Sequence, residues 1–135
     1  MRSPQLRSPQ LRSPLGRAIG LGSAKEGLGH WWAQRVSAIA LVPLVLWFVA
    51  EIVAHAGADR AAVIAWARHP VRAVLLILLV VATFYHTILG LQVVIEDYVH
   101  SEGARLGLTL GMRLFCILLA VLGVFAVLKM ALGAA

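Results

Sequence analysis

The histidine at position 86 stands in the middle of a long apolar stretch that has no charged residue. A neutral imidazole buried in such a stretch meets no water, so it must hydrogen-bond a neighbour or bind a metal. Gly90 follows four residues later, about 40° around a helix, and leaves one turn beneath the imidazole without a side chain. A flat macrocycle could lie there, because a histidine on a membrane helix is a suitable axial ligand for haem iron. A structural hydrogen bond between helices is the alternative interpretation.

A six-coordinate b-type haem needs a second axial ligand, which this chain does not supply from the depth of His86. Its remaining histidines all fall at the ends of apolar stretches or in loops, namely His30, His55, His69 and His100. We therefore expect the second ligand to come from another chain.

The same apolar stretch ends in Asp97 and Tyr98. On a helix, Asp97 lies within about 20° of His86 and about 16 Å further along the axis, whereas Tyr98 points about 120° away. A phenol and a carboxylate at a membrane surface can hydrogen-bond a lipid-soluble carbonyl compound and deliver protons to it. The simpler interpretation is a helix end that reaches the headgroups, with Tyr98 as a belt residue.

Three further ionisable residues border or interrupt the apolar stretches. Arg35 lies near the start of the first of three apolar stretches in the sequence. If the three form antiparallel spans, Arg35 lies on the same side of the membrane as Asp97. Its guanidinium can reach the headgroups or clamp a carboxylate such as a haem propionate. For Glu51 and Arg113 we expect an interfacial position or a partner in another chain.

Composition shows what must position these side chains. The chain has 135 residues, of which 61% are hydrophobic and 13% charged. Soluble domains have about 45–50% apolar and about 25% charged residues, and a chain this small cannot hide the excess in its own core. The sequence therefore excludes a cytosolic enzyme domain and predicts an all-α integral membrane protein. We expect three transmembrane helices, at about 32–55, 72–96 and 106–130, within an anchor domain of residues 30–135.

Charge indicates how the spans are oriented. The net charge of +6 comes almost entirely from the first third of the chain, so it predicts a cytoplasmic N-terminus and no nucleic-acid partner. Residues 1–29 form a basic arm rich in proline and glycine, including an RSPQL repeat, which we expect to be largely disordered. Residues 61–67 could form a short interfacial helix. Glycines recur every four residues at Gly103, Gly107 and Gly111, which predicts close packing by another helix.

The pattern of His86, Gly90, Asp97 and Tyr98 resembles the hydrophobic membrane-anchor (D) subunits of succinate dehydrogenase, respiratory complex II, of the alphaproteobacterial type. The similarity extends to Arg105, to RVSAI at 35–39 and to GLGSAK at 20–25. It covers about residues 20–135, with the three-helix layout.

The resemblance implies specific roles for these residues. His86 matches an axial ligand of haem b, and Arg35 an arginine near the haem propionates and the quinone pocket. Tyr98 matches a tyrosine that hydrogen-bonds a quinone oxygen, with Asp97 as its neighbour at that site. His30 is similar to a further propionate contact, at a spacing to Arg35 one residue shorter than in the enterobacterial pattern.

The resemblance also implies the partners and the location. The implied partners are a cytochrome b subunit, an iron–sulfur subunit and a flavoprotein subunit, and the implied location is a bacterial inner membrane. Ubiquinone is the implied electron acceptor, in aerobic electron transport and the tricarboxylic acid cycle. The chain itself is then a non-catalytic subunit, since a single cysteine cannot hold an iron–sulfur cluster. The alternatives are the anchor of a fumarate reductase, a haem-free scaffold or assembly protein, and, least favoured, a transporter subunit.

Overall fold

The computed structural model describes residues 24–133, with side chains from residue 27 onward. Four helices follow one another, and no strand occurs within these residues: α1 (Ala24–Ala54), α2 (Arg60–Ala67), α3 (Pro70–Tyr98) and α4 (Glu102–Ala131). Three of them, α1, α3 and α4, are long and apolar enough to cross a membrane. The predicted all-α membrane fold with three transmembrane helices is confirmed.

The helix boundaries differ from the expected spans mainly at the N-terminal side. The first helix begins at Ala24, so residues 24–29 of the expected arm belong to its first turns. The rest of that arm, including the RSPQL repeat, lies outside the described residues. The short helix expected at 61–67 is present as α2.

Local sequence explains where the helices start. Gly57 adopts a positive φ of 85° in the turn after α1, a conformation that glycine takes without strain. Asp59 caps α2 by accepting a hydrogen bond from the backbone nitrogen of Ala62 at 2.8 Å. Pro70 occupies the first turn of α3, where its missing N–H removes no helical hydrogen bond.

The helices form a layer with α3 in the middle. Helix α3 packs against both α1 and α4, whereas α1 and α4 have no direct packing along their described lengths. Contacts pair the start of each long helix with the end of the next, so the three run antiparallel. Helix α2 covers one end of the layer, where it contacts α3 and α4.

The small core of the chain sits at the end covered by α2. Ala73, Leu76 and Val127 are at most 7% exposed, and the side chains packed against them include Trp47 and Trp66. Large apolar side chains remain exposed along all three long helices, where lipid or partner chains must cover them.

A glycine brings two helices of this chain close together, but it is not one of the three that the sequence pattern singled out. A Cβ added to Gly123 would lie 2.9 Å from Val80 Cγ1, so α4 meets α3 at this glycine. A Cβ added to Gly103, Gly107 or Gly111 would meet nothing within 4 Å. The packing predicted for those three glycines is absent within the described chain and stays a prediction for another chain.

Glu51 and Arg113 both have partners inside this chain, whereas the sequence analysis had expected an interfacial position or a partner in another chain. Glu51 accepts a hydrogen bond from Trp66 Nε1 at 2.6 Å and faces Arg72 Nε at 3.8 Å. Arg113 donates from Nη2 to Gln92 Oε1 at 2.6 Å. Glu51 thus ties α2 and α3 to α1, and Arg113 ties α4 to α3.

Candidate functional site

His86 lies near the middle of α3 and faces α1, which holds both of its ring nitrogens. Its Nδ1 lies 2.9 Å from Ser37 Oγ, and its Nε2 lies 3.3 Å from the amide nitrogen of Gln34. Gln34 and Ser37 are three residues apart, so they share one face of α1. The imidazole is therefore held in one orientation between the two helices.

The hydrogen bonds around His86 match a neutral ring that carries its proton on Nδ1. Ser37 donates its hydroxyl proton to the backbone carbonyl of Gln34 at 3.0 Å, and its oxygen can accept a hydrogen bond from a protonated Nδ1. The Gln34 amide nitrogen can only donate, which suits an unprotonated Nε2. In this tautomer the lone pair of the ring is on Nε2.

An open groove of about 640 Å³ lies beside His86 between α1 and α3. Most of its lining residues are apolar or small, and it is lined by Gly27, His30, Trp31, Gln34, Arg35, Ala38, His86, Gly90 and Val93. A second groove of about 410 Å³ shares Ala38 and His86 with the first and is otherwise apolar. His86 thus borders open space on both sides along α1.

Gly90 keeps the first groove open next to the imidazole, as the sequence predicted. A Cβ at this position would lie 3.5 Å from the Gln34 amide nitrogen, in ordinary contact with it. A longer side chain would therefore fill the space beside His86. Because Gly90 has no side chain, its backbone borders the groove directly.

The groove has a cation and two unpartnered polar atoms at its end nearest the start of α1. The Arg35 guanidinium lies 4.2 Å from the ring centre of Trp31 and has no acidic partner among the described residues. His30 Nε2 and Gln34 Oε1 are buried without a hydrogen-bond partner. Because buried polar atoms are normally bonded, this end of the groove is suited to a polar or anionic group.

Asp97 and Tyr98 lie in the last turn of α3, at the same end of the layer as Arg35. Both are exposed, Tyr98 to 78%, and neither lines the groove, although Val93 one turn earlier does. The structure brings His86 and Arg35 to one groove and leaves the Asp97 and Tyr98 side chains facing outward.

The sequence analysis gave no role to the two residues that hold His86. Gln34 and Ser37 are uncharged polar residues at the start of an otherwise apolar span, spaced so that both fall on one face. That spacing was a usable signal, because polar groups in a span need partners. Nothing in the sequence pattern said that their face would turn toward His86.

Comparisons with known proteins agree with this architecture. A family model described as succinate dehydrogenase/fumarate reductase transmembrane subunit matches residues 9–133. A succinate dehydrogenase hydrophobic membrane anchor subunit from Rickettsia bellii is 38% identical over 82% of this chain and 89% of its own length. The protein of the same name from Paracoccus denitrificans is 33% identical over 87% of this chain and 90% of its own length. No solved structure matches this chain significantly.

The family model covers most of the chain, and the relatives align over nearly their full lengths. Together with the three spans and the fold of residues 24–133, these matches are sufficient to assign the family. The chain belongs to the succinate dehydrogenase/fumarate reductase transmembrane subunit family and, within it, is similar to the hydrophobic membrane anchor subunits.

Proposed function

We propose that this chain is the membrane anchor of a succinate:ubiquinone oxidoreductase and that His86 is its axial ligand to a haem b. The observation that carries the proposal is the geometry of His86: α1 holds both of its ring nitrogens, and the residue lines an open groove between α1 and α3. A b-type haem bound there would supply a one-electron carrier within the membrane.

The residues around the groove suit a porphyrin with two carboxylate arms. The walls between α1 and α3 are mostly apolar, and Gly90 adds no side chain to the groove that it lines with His86. Arg35 offers a forked cation at one end of the groove, and the buried His30 Nε2 there lacks a partner. We assign these two residues to the propionates, since arginine pairs well with carboxylates.

A second axial ligand has to come from a partner chain. The described residues bring no three potential metal-binding side chains together, and His55 lies toward the opposite end of α1, beside Glu51. The layered arrangement leaves the α1–α3 groove open to another helix. A cytochrome b subunit with a histidine at the matching depth would complete the site.

Tyr98 and Asp97 form the chain's part of a quinone site. A phenol hydroxyl can donate a hydrogen bond to a quinone carbonyl, which positions the ring and favours added electron density on that oxygen. Reduction of a quinone to a quinol takes up two electrons and two protons. Asp97, exposed at the helix end, can relay protons from the aqueous side, while the electrons arrive from the flavoprotein and iron–sulfur subunits.

The chain's own contribution is therefore anchorage, one haem ligand and part of the quinone wall, with no catalytic group for succinate. We place it in the bacterial inner membrane with its basic N-terminus in the cytoplasm, beside the flavoprotein and iron–sulfur subunits. The family description includes fumarate reductases, but the relatives described above are all named succinate dehydrogenase anchors, which supports succinate oxidation.

Substitution of His86 by alanine tests the haem assignment. We expect His86→Ala to abolish or shift the b-haem bands in the reduced-minus-oxidised absorption spectrum of the purified complex. His69→Ala is the matched control, because His69 precedes α3 and its side chain makes no capping bond. A wild-type spectrum in the His86 variant, or a haem-free wild-type complex, would exclude ligation and leave a scaffold role.

A further inference from the structure

The hydrogen bonds around His86 give its two ring nitrogens different tasks. On the basis of the proposed haem ligation, we infer that Ser37 is the positioning residue of this ligand, accepting a hydrogen bond from Nδ1–H so that Nε2 keeps its lone pair for iron. Gln34 serves as a placeholder, whose amide satisfies that lone pair until iron replaces it.

Ser37 is fixed on both sides of its hydroxyl. Its oxygen lies 2.9 Å from His86 Nδ1, and its hydroxyl donates to the Gln34 carbonyl at 3.0 Å. It is 6% exposed and is the one buried polar side chain in the described part of the molecule. Metal-binding histidines commonly donate their second N–H to such an acceptor, which fixes the tautomer and makes the ligating nitrogen more basic.

Gln34 is held much less firmly than Ser37. Its amide nitrogen lies 3.3 Å from His86 Nε2, beyond the usual range of a strong hydrogen bond, and its Oε1 is buried without a partner. Gln34 also lines the 640 Å³ groove, which gives its side chain space to turn into, whereas Ser37 does not line it. The amide can therefore leave Nε2 while the bond at Nδ1 stays in place.

This assignment predicts opposite results for the two residues in the purified complex. Ser37→Ala should weaken haem retention about 10–100-fold, measured as the rate of haem loss to excess apomyoglobin. It should also raise the haem midpoint potential, because a less basic imidazole stabilises ferric iron less. Gln34→Ala should retain haem at least as well as the wild type, because its amide has to leave the iron-binding nitrogen.

Two controls separate positioning from packing. Thr87→Ala removes a hydroxyl one residue from His86 that bonds only to the Thr83 carbonyl, so it should leave potential and retention unchanged. At position 37, Ser37→Thr keeps a hydroxyl, whereas Ser37→Val has the same shape as the threonine variant without one. We expect wild-type potential in the first and the alanine-like shift in the second.

The outcomes distinguish this inference from the function on which it rests. If the wild-type complex contains haem that is lost in His86→Ala, but Ser37→Ala and Ser37→Val keep its potential and retention, the positioning role is wrong. Equal haem loss in Gln34→Ala and Ser37→Ala would exclude the placeholder role. A wild-type complex without His86-dependent haem would instead overturn the ligation itself, and this inference with it.

Discussion

Replacing Gly123 by alanine should loosen the contact between α3 and α4. The new Cβ would lie 2.9 Å from Val80 Cγ1 and 3.6 Å from its Cγ2. A β-branched side chain on a helix strongly prefers one χ1 rotamer, so Val80 cannot turn away without strain. Overpacking of this kind costs about 1–3 kcal/mol, and alanine recovers about 1 kcal/mol in helix propensity. We therefore expect Gly123→Ala to destabilise the helix pair by up to about 2 kcal/mol.

Heat denaturation of the purified complex, followed by circular dichroism, measures this effect. Gly123→Ala should lower the midpoint temperature, and adding Val80→Ala should restore part of the loss, because the double variant removes both Cγ atoms. Residues in contact couple by about 0.5–3 kcal/mol, so the double variant should be more stable than the sum of the single effects. Gly29→Ala is the control, since a Cβ there would meet nothing within 4 Å.

Strict additivity of the two substitutions would contradict this account of the contact. In that case Val80 and Gly123 would not be touching in the assembled complex, and the 2.9 Å approach would not limit how α3 and α4 pack. A wild-type midpoint for Gly123→Ala alone would mean that the helices separate at no measurable cost.

Three further substitutions test other contacts. Glu51→Ala should lower the midpoint temperature more than Glu51→Gln, because the amide oxygen of glutamine can still accept from Trp66 Nε1. The alanine variant leaves that indole donor unpaired, which costs about 1–3 kcal/mol when a donor is buried. Equal midpoints in the two variants would show that this bond contributes nothing. Gln92→Leu should lower the amount of the chain in membranes, measured by immunoblot, because it leaves the Arg113 guanidinium unpaired within a span. The double variant Gln92→Leu with Arg113→Leu should restore part of that amount, and a lower amount in the double variant than in the single variant would refute this account. Tyr98→Phe should preserve succinate oxidation by artificial acceptors and slow quinone reduction several-fold, and unchanged quinone turnover would remove Tyr98 from the quinone site.

The three spans were predictable because the bilayer dictates them. An apolar run of sufficient length in a chain this poor in charge has few alternatives to a membrane helix, and the short helix with Trp66 followed from its place between two spans. His86 was recognisable for the same reason, since an ionisable group in such a run needs a specific partner. Asp97 and Tyr98 were placed correctly at the end of α3, because a helix has a fixed rise per residue.

Partners across helices were not predictable, because hydropathy fixes where a span lies and says little about its rotation. The sequence analysis therefore missed the contact between Glu51 and Trp66 and the close approach of Gly123 to Val80. Both omissions concern the direction in which a helix faces. In lipid that direction depends on side-chain packing and hydrogen bonds between helices, because both faces of a span can be apolar.

The sequence by itself determined that a histidine lies deep in a membrane helix above a tyrosine-bearing helix end. Only the tertiary structure decided that α1 turns Gln34 and Ser37 toward that histidine, so that each ring nitrogen faces one polar side chain. The physical reason is that these partners belong to a helix about fifty residues away in the chain, and the rotation of that helix is set by packing between helices.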